Sequence, residues 1–156
     1  LSGNNSFSGG TQTHNGTLRV PSAERLGTGT ATLSGGSLRV DSSSTIDAPL
    51  FFEDVSSLVI PSGNVTQQKH KSGAAAWEKS GDGTLTLLGS SSATGRLTVA
   101  NGKVATAVGS ITPNVTVNSG ASLEFLGGGI YAGSIDGLGG LVKSGGGTLE
   151  LRGVNA

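Results

Sequence analysis

Hydrophobic and polar residues alternate in short runs along most of the chain. A polar residue lies between two apolar ones in the runs 18–20, 38–40, 85–87, 97–99, 115–117, 123–125 and 149–151. Pairs that favour tight turns separate many of these runs, namely Asn15-Gly16, Gly35-Gly36, Ser62-Gly63, Asn101-Gly102 and Ser119-Gly120. A period of two predicts short strands with one buried face, joined by sharp turns. No stretch carries the apolar stripe of a helix, so an all-β fold is expected.

One phrase recurs along the chain. Residues 79–89 read KSGDGTLTLLG, residues 143–153 read KSGGGTLELRG, and the opening LSGNNSFSGG resembles the end of this phrase with the turn after it. The copies define long units at 1–86 and 87–150, with the start of a further unit at 151–156. Such repetition is typical of stacked units, because one unit alone cannot bury its apolar face.

The spacing of the strands indicates a solenoid. The step from Leu18 to Leu38 suits one rung of a parallel β-helix, which is built from three short strands and their turns. We therefore expect a single β-helix segment over 1–156 with about seven rungs, about four in the first unit and three in the second. An antiparallel β-sandwich also uses short alternating strands and remains an alternative.

The composition favours a thin hydrophobic core, and it argues against cysteine-based sites and a nucleic-acid partner. The chain holds 28 glycines and 4% aromatic residues, and it has no cysteine, which excludes disulfides, thiolate zinc sites and cysteine nucleophiles. Ten basic and ten acidic residues leave no net charge to attract nucleic acid, so no nucleic-acid partner is expected.

The repeated segments resemble a known family. GDGTLTLLG, GGGTLELRG, NNSFSGGTQTHNGTLRV and SIDGLGGLVKSGGGTLEL are similar to the passenger-associated repeat of bacterial autotransporters. Phe7 stands where the family usually has Tyr, and Ala93 departs from an aromatic residue, so the second copy is degenerate.

The resemblance implies fold, export route and role. It implies a right-handed parallel β-helix, displayed on the bacterial surface or secreted, as a fragment of a longer passenger. It also implies a precursor attached to an outer-membrane β-barrel, and roles in adhesion, aggregation, invasion or toxin delivery.

The sequence offers few residues that could act in catalysis or bind a metal. The two histidines, His14 and His70, stand in polar, turn-like surroundings, and no G-x-S-x-G motif occurs. The carboxylates are dispersed, and the single Asp136 of GSIDGLGGL does not build a metal site. We therefore predict no catalytic residue, no metal and no cofactor.

Residues 41–79 interrupt the repeat and are where specificity is expected. Lys69, His70 and Lys71 form the candidate site for an anionic partner such as a sulfated glycan or an acidic receptor loop. Phe51 and Phe52 are further candidate binding residues. Because they are adjacent, they would point to opposite sides of a strand, one toward the core and the other outward.

Two further expectations concern side chains. Trp77 aligns with an apolar position of the next unit and is expected in the core. Arg19 and Arg39 are separated by the same step as Leu18 and Leu38, so they should lie on neighbouring rungs of one outer face. Like charges stacked in this way repel unless a carboxylate or water lies between them.

The sequence predicts a noncatalytic passenger segment that acts as an adhesin or virulence factor. Its contacts would be with a host cell-surface receptor or glycan, or with other copies through the unpaired ends of the β-helix. A toxin or signalling passenger that binds a host receptor protein and a β-helix carbohydrate-active enzyme are the alternatives.

Overall fold

The structure is a computed structural model that describes residue 3 and residues 5–111 and 113–156. Leu1, where the opening phrase begins, lies outside the described residues. The strands are β1 Thr11–His14, β2 Thr17–Val20, β3 Ala31–Ser34, β4 Ser37–Val40, β5 Ser44–Ile46, β6 Leu50–Phe52, β7 Ser56–Val59, β8 Asn64–Gln67, β9 Lys71–Ser72, β10 Trp77–Ser80, β11 Thr84–Leu87, β12 Leu97–Val99, β13 Lys103–Thr106, β14 Asn114–Val117, β15 Ser122–Phe125, β16 Gly129–Tyr131, β17 Ser134–Gly137, β18 Gly140–Lys143 and β19 Leu149–Leu151. Short 3₁₀ helices span Ala23–Leu26 and Val108–Ser110.

The strands form three faces of a parallel β-solenoid. Face A contains β1, β3, β6 and β9, and after a gap β16 and β19. Face B contains β2, β4, β7, β10, β12, β14 and β17, and face C contains β5, β8, β11, β13, β15 and β18. Each rung therefore runs through faces A, B and C before the next rung begins. Every strand pairing in the described residues is parallel, which excludes the antiparallel sandwich and confirms a solenoid of about seven rungs.

The core is a set of columns of apolar side chains that run along the solenoid. On face C, Val65, Leu85, Val104 and Leu123 occupy one inward position on four successive rungs, and all four are buried. The alternation of inward and outward residues in each strand produces these columns, because the parallel register places equivalent residues on neighbouring rungs.

The repeated phrase moves by one face from copy to copy. Lys79 lies in β10 on face B and the phrase continues as β11 on face C, whereas Lys143 ends β18 on face C and the phrase continues as β19. Three rungs beyond β10 on face B is β17, and β18 is the next strand on face C. The step between the two copies therefore equals three rungs and one further face, compared with the approximately three rungs expected for the second unit.

Face A is irregular in the middle of the solenoid. After β9, Ser91 makes only an isolated bridge with Lys71, and the next rung replaces the strand with the 3₁₀ helix Val108–Ser110. Strand pairing on this face resumes with β16 and β19. Faces B and C carry the continuous sheets of the scaffold, while face A presents a four-stranded sheet bordered by loops.

Candidate functional site

Strand β6 places Phe51 and Phe52 on opposite sides of face A. Phe51 points outward with 37% of its surface exposed, whereas Phe52 is 1% exposed. The alternation predicted for the two rings is confirmed, since successive residues of a strand point to opposite faces. Of the two rings, only Phe51 is available to a partner.

Phe52 belongs to the core, which corrects its place among the candidate binding residues. Its ring stacks on Trp77 of the next rung, with centroids 4.6 Å apart and planes at 11°. Trp77 is also buried, so the prediction that it is a core residue is confirmed. The stack links faces A and B across two rungs at their shared corner.

Lys71 is also a core residue, and its expected role in a basic surface patch is wrong. It occupies the inward column of Ala31 and Leu50 and is 1% exposed. Its Nζ donates a hydrogen bond of 2.6 Å to the carbonyl oxygen of Gly89, and burial lowers the pKa of Lys71 to about 8. An ammonium enclosed in this way cannot reach an external anion.

Lys69 and His70 remain on the surface beside β9. The Nζ of Lys69 lies 3.1 Å from Oδ1 of Asp47, and both side chains are well exposed. The imidazole of His70 is held between two hydroxyls, with Nδ1 2.9 Å from Ser90 Oγ and Nε2 2.8 Å from Ser92 Oγ. These contacts restrain the ring although it is open to solvent.

These residues define what we call the face A surface, composed of Phe51, Lys69, His70, Ser72, Ser90 and Ser92. Phe51 and Ser72 are register partners on β6 and β9, so the ring and the hydroxyl lie side by side. The surface combines one exposed aromatic ring with hydroxyls and an imidazole. Its single lysine charge is opposed by Asp47, which removes most of the support for an anionic partner.

A second buried lysine, Lys79, was missed by the sequence analysis. It is 0% exposed and continues the inward column of Leu38 and Leu58 on face B. Its Nζ donates to the carbonyl oxygens of Gly81 and Gly83, each at 2.5 Å. Burial lowers the pKa of Lys79 to about 8, while the charge of Asp82 opposes that shift.

Lys143 repeats this arrangement in the other copy of the phrase. Its Nζ donates to the carbonyl oxygens of Ser144 at 2.6 Å and Gly145 at 2.9 Å, although Lys143 is exposed. A lysine before the glycine turn in both copies was the signal available in the sequence. The ammonium has three donors, which suits it to bind several turn carbonyls at once.

Arg19 and Arg39 are register partners on face B, as expected. Asp41 lies between them, with Oδ2 2.5 Å from Arg19 Nε and Oδ1 2.7 Å from Arg39 Nε. Hydrogen bonds from Arg39 and Arg19 hold the pKa of Asp41 below its usual value. The carboxylate offsets much of the positive charge, so this ridge is not a strong basic site.

Two kinds of feature are absent from the described residues. No group of three or more His, Asp or Glu side chains there is arranged to hold a metal ion. In the same part of the chain, no helix has the length and apolar character needed to cross a membrane.

Comparison with known proteins agrees with the repeat pattern. The family model described as passenger-associated-transport-repeat matches residues 1–20, 78–105 and 141–156. The adhesin BmaC autotransporter of Brucella suis biovar 1 (strain 1330) is 38% identical over 92 residues, which cover 57% of this chain and 3% of that protein. The chain thus spans a small part of that relative's length. No solved structure matches.

Proposed function

We propose that this chain, a segment of a bacterial autotransporter passenger, is a noncatalytic adhesive module whose face A surface contacts a host cell-surface protein. As a passenger segment it lies outside the bacterial outer membrane, displayed or secreted. The proposal includes a longer precursor that is attached to an outer-membrane β-barrel. A similar segment of a protein named as an adhesin supports the adhesive role.

The observation that carries the proposal is the exposed Phe51 ring on the same face as the restrained imidazole of His70. An aromatic side chain at the centre of a contact surface contributes much of the binding free energy when a partner covers it. His70 loses little additional freedom on binding, because Ser90 and Ser92 already hold its ring. Rigid strands therefore present an anchor with polar groups around it.

The chemistry of the face A surface favours a protein over a sulfated glycan. Lys71 is buried, and Asp47 opposes the charge of Lys69, so the surface offers no concentrated positive charge to bind sulfate groups. A receptor protein can cover Phe51 with an apolar pocket and bond to the hydroxyls of Ser72 and of the serines that hold His70.

The test uses bacteria that display the complete passenger. Phe51→Ser and His70→Ala should each reduce attachment to cultured host cells, and protease treatment of the host cells should remove the difference between variants and parent. Ile130→Ser is the matched control, because Ile130 is 50% exposed and lies on β16, away from this surface. Undiminished attachment by both variants, at equal surface display, would refute the proposal.

A further inference from the structure

A groove runs along the corner between faces A and B, parallel to the solenoid axis. It has a volume of about 450 Å³, and its lining residues include Gly16, Thr17, Gly36, Ser37, Ser57 and Glu78. These residues come from four successive rungs, so at ~4.8 Å between strands the groove extends over roughly 14 Å. It is separate from the face A surface and does not depend on the function proposed for that surface.

Small residues occupy one column beside the groove at this corner. Gly16 and Gly36 precede β2 and β4, and Ser56 occupies the equivalent position on the third rung. A Cβ at Gly36 would lie 3.0 Å from the carbonyl oxygen of Gly16, so the close approach of the two rungs disfavours a larger residue there. On the fourth rung Trp77 fills the column.

One wall of the groove is a column of polar side chains. The parallel register aligns Thr17, Ser37, Ser57 and Glu78 on the outward side of face B. Ser37 Oγ and Ser57 Oγ lie 2.7 Å apart. Within the described part of the chain the carboxylate of Glu78 has no hydrogen-bond or ion-pair partner.

Two further residues complete the lining. Ser56 is one of them, but its hydroxyl oxygen is buried and is not accessible to a ligand. Val55 is 67% exposed and forms an apolar part of the wall. The groove therefore offers the hydroxyl groups of the polar column and the carboxylate of Glu78 beside one apolar contact.

We propose that this groove binds a linear, uncharged oligosaccharide. Hydroxyl groups both donate and accept hydrogen bonds, and a carboxylate accepts from sugar hydroxyls, so a wall of this kind matches a polyol. Among the residues that the structure describes, no basic side chain lines the groove, which disfavours anionic glycans. A chain of sugar rings presents similar groups at regular intervals, as the rungs do, and Val55 can pack against the C–H side of a ring.

Calorimetric titration of the complete passenger with maltotetraose, cellotetraose and chitotetraose tests the proposal. At least one of these sugars should bind. Glu78→Gln should weaken that binding about tenfold to a hundredfold, because hydrogen bonds to a charged group are stronger than those to a neutral amide. Ser57→Arg should abolish binding, because the long side chain fills the groove and pairs with Glu78.

Glu150→Gln is the matched control, because Glu150 is an exposed carboxylate on β19, outside the groove. It should leave sugar binding unchanged, and thermal unfolding should show that all three variants are folded. Absence of binding by every sugar would overturn the proposal, as would binding that survives both Glu78→Gln and Ser57→Arg. Glu78-dependent binding of tetra-arginine without sugar binding would also overturn it, because the groove would then be a site for basic peptides.

Discussion

The ammonium of Lys79 donates a hydrogen bond of 2.9 Å to the carbonyl oxygen of Asn101, one rung further along the solenoid. The same ammonium binds the carbonyl oxygens of Gly81 and Gly83 in its own turn. The lysine of the repeated phrase therefore joins its own glycine turn to the next rung. This contact gives the phrase a structural role at the corner between faces B and C.

Replacing Lys79 with Met should destabilise the solenoid by about 1–3 kcal/mol, because three turn carbonyls lose their donor inside the protein. The midpoint of urea unfolding measures this effect. Lys143→Met is the control, and it should change stability by less than about 0.5 kcal/mol because Lys143 is exposed. Equal midpoints for Lys79→Met and the parent would show that the carbonyl contacts do not stabilise the fold.

Stability should rise between about pH 8 and pH 9.5. Burial lowers the pKa of both Lys71 and Lys79 to about 8, below the usual value of 10.5. In this range the unfolded chain binds more protons than the folded one, so raising the pH favours folding. Urea midpoints at the two pH values test the direction, and the double variant Lys71→Met and Lys79→Met should show a smaller rise.

The pH range in which stability rises ends near pH 10 because of Tyr131. Burial raises the pKa of Tyr131 above its usual value of 10, so the unfolded chain loses the phenolic proton first and stability falls above that pH. A steady loss of stability from pH 8 upward would contradict the role assigned to the two buried lysines.

Phe52→Ala should lower the free energy of unfolding by about 3–5 kcal/mol, because it removes a buried ring and its stack on Trp77. Phe51→Ala, one residue earlier in the same strand, should cost much less because half-exposed residues bury less area. Chemical unfolding of the two variants gives the comparison. Similar losses for both would contradict the alternation of β6 described here.

Asp41→Asn should lower stability only slightly, because the salt bridges that it removes are at the surface. The stacked guanidinium groups of Arg19 and Arg39 would then repel each other. Thermal unfolding at low and high salt measures this, and the variant should recover toward the parent as salt screens the repulsion. A loss of thermal stability that does not depend on salt concentration would argue against repulsion between the two arginines.

Much of the fold follows from the sequence. The alternation of apolar and polar residues marks the strands, and the spacing of Leu18 and Leu38 equals the length of one rung. The position of Lys71 did not follow. Strand β9 has only two residues and lies at the end of the polar run QQKHK, so no apolar alternation shows which side chain points inward. The charge of Lys71 suggested the surface, whereas the register with Leu50 places it inside.

The shift of the phrase by one face and the corner groove were also beyond the sequence. The separation of two copies in the sequence is a number of residues. It identifies the face on which a copy lies only when the length of each rung is known from the strand pairing. Gly16 and Gly36 were interpreted correctly as turn residues, but the parallel register alone brings them into one column beside Ser37 and Glu78.

The central claim is that scaffold and contact surface are separate in this solenoid. Its most direct test measures host-cell attachment and thermal unfolding together for Phe51→Ser and Lys79→Met in the displayed passenger. Phe51→Ser should reduce attachment and leave the unfolding temperature nearly unchanged, whereas Lys79→Met should lower the unfolding temperature and leave attachment intact at growth temperature. The opposite pattern, with attachment retained by Phe51→Ser and lost from folded Lys79→Met, would contradict the account.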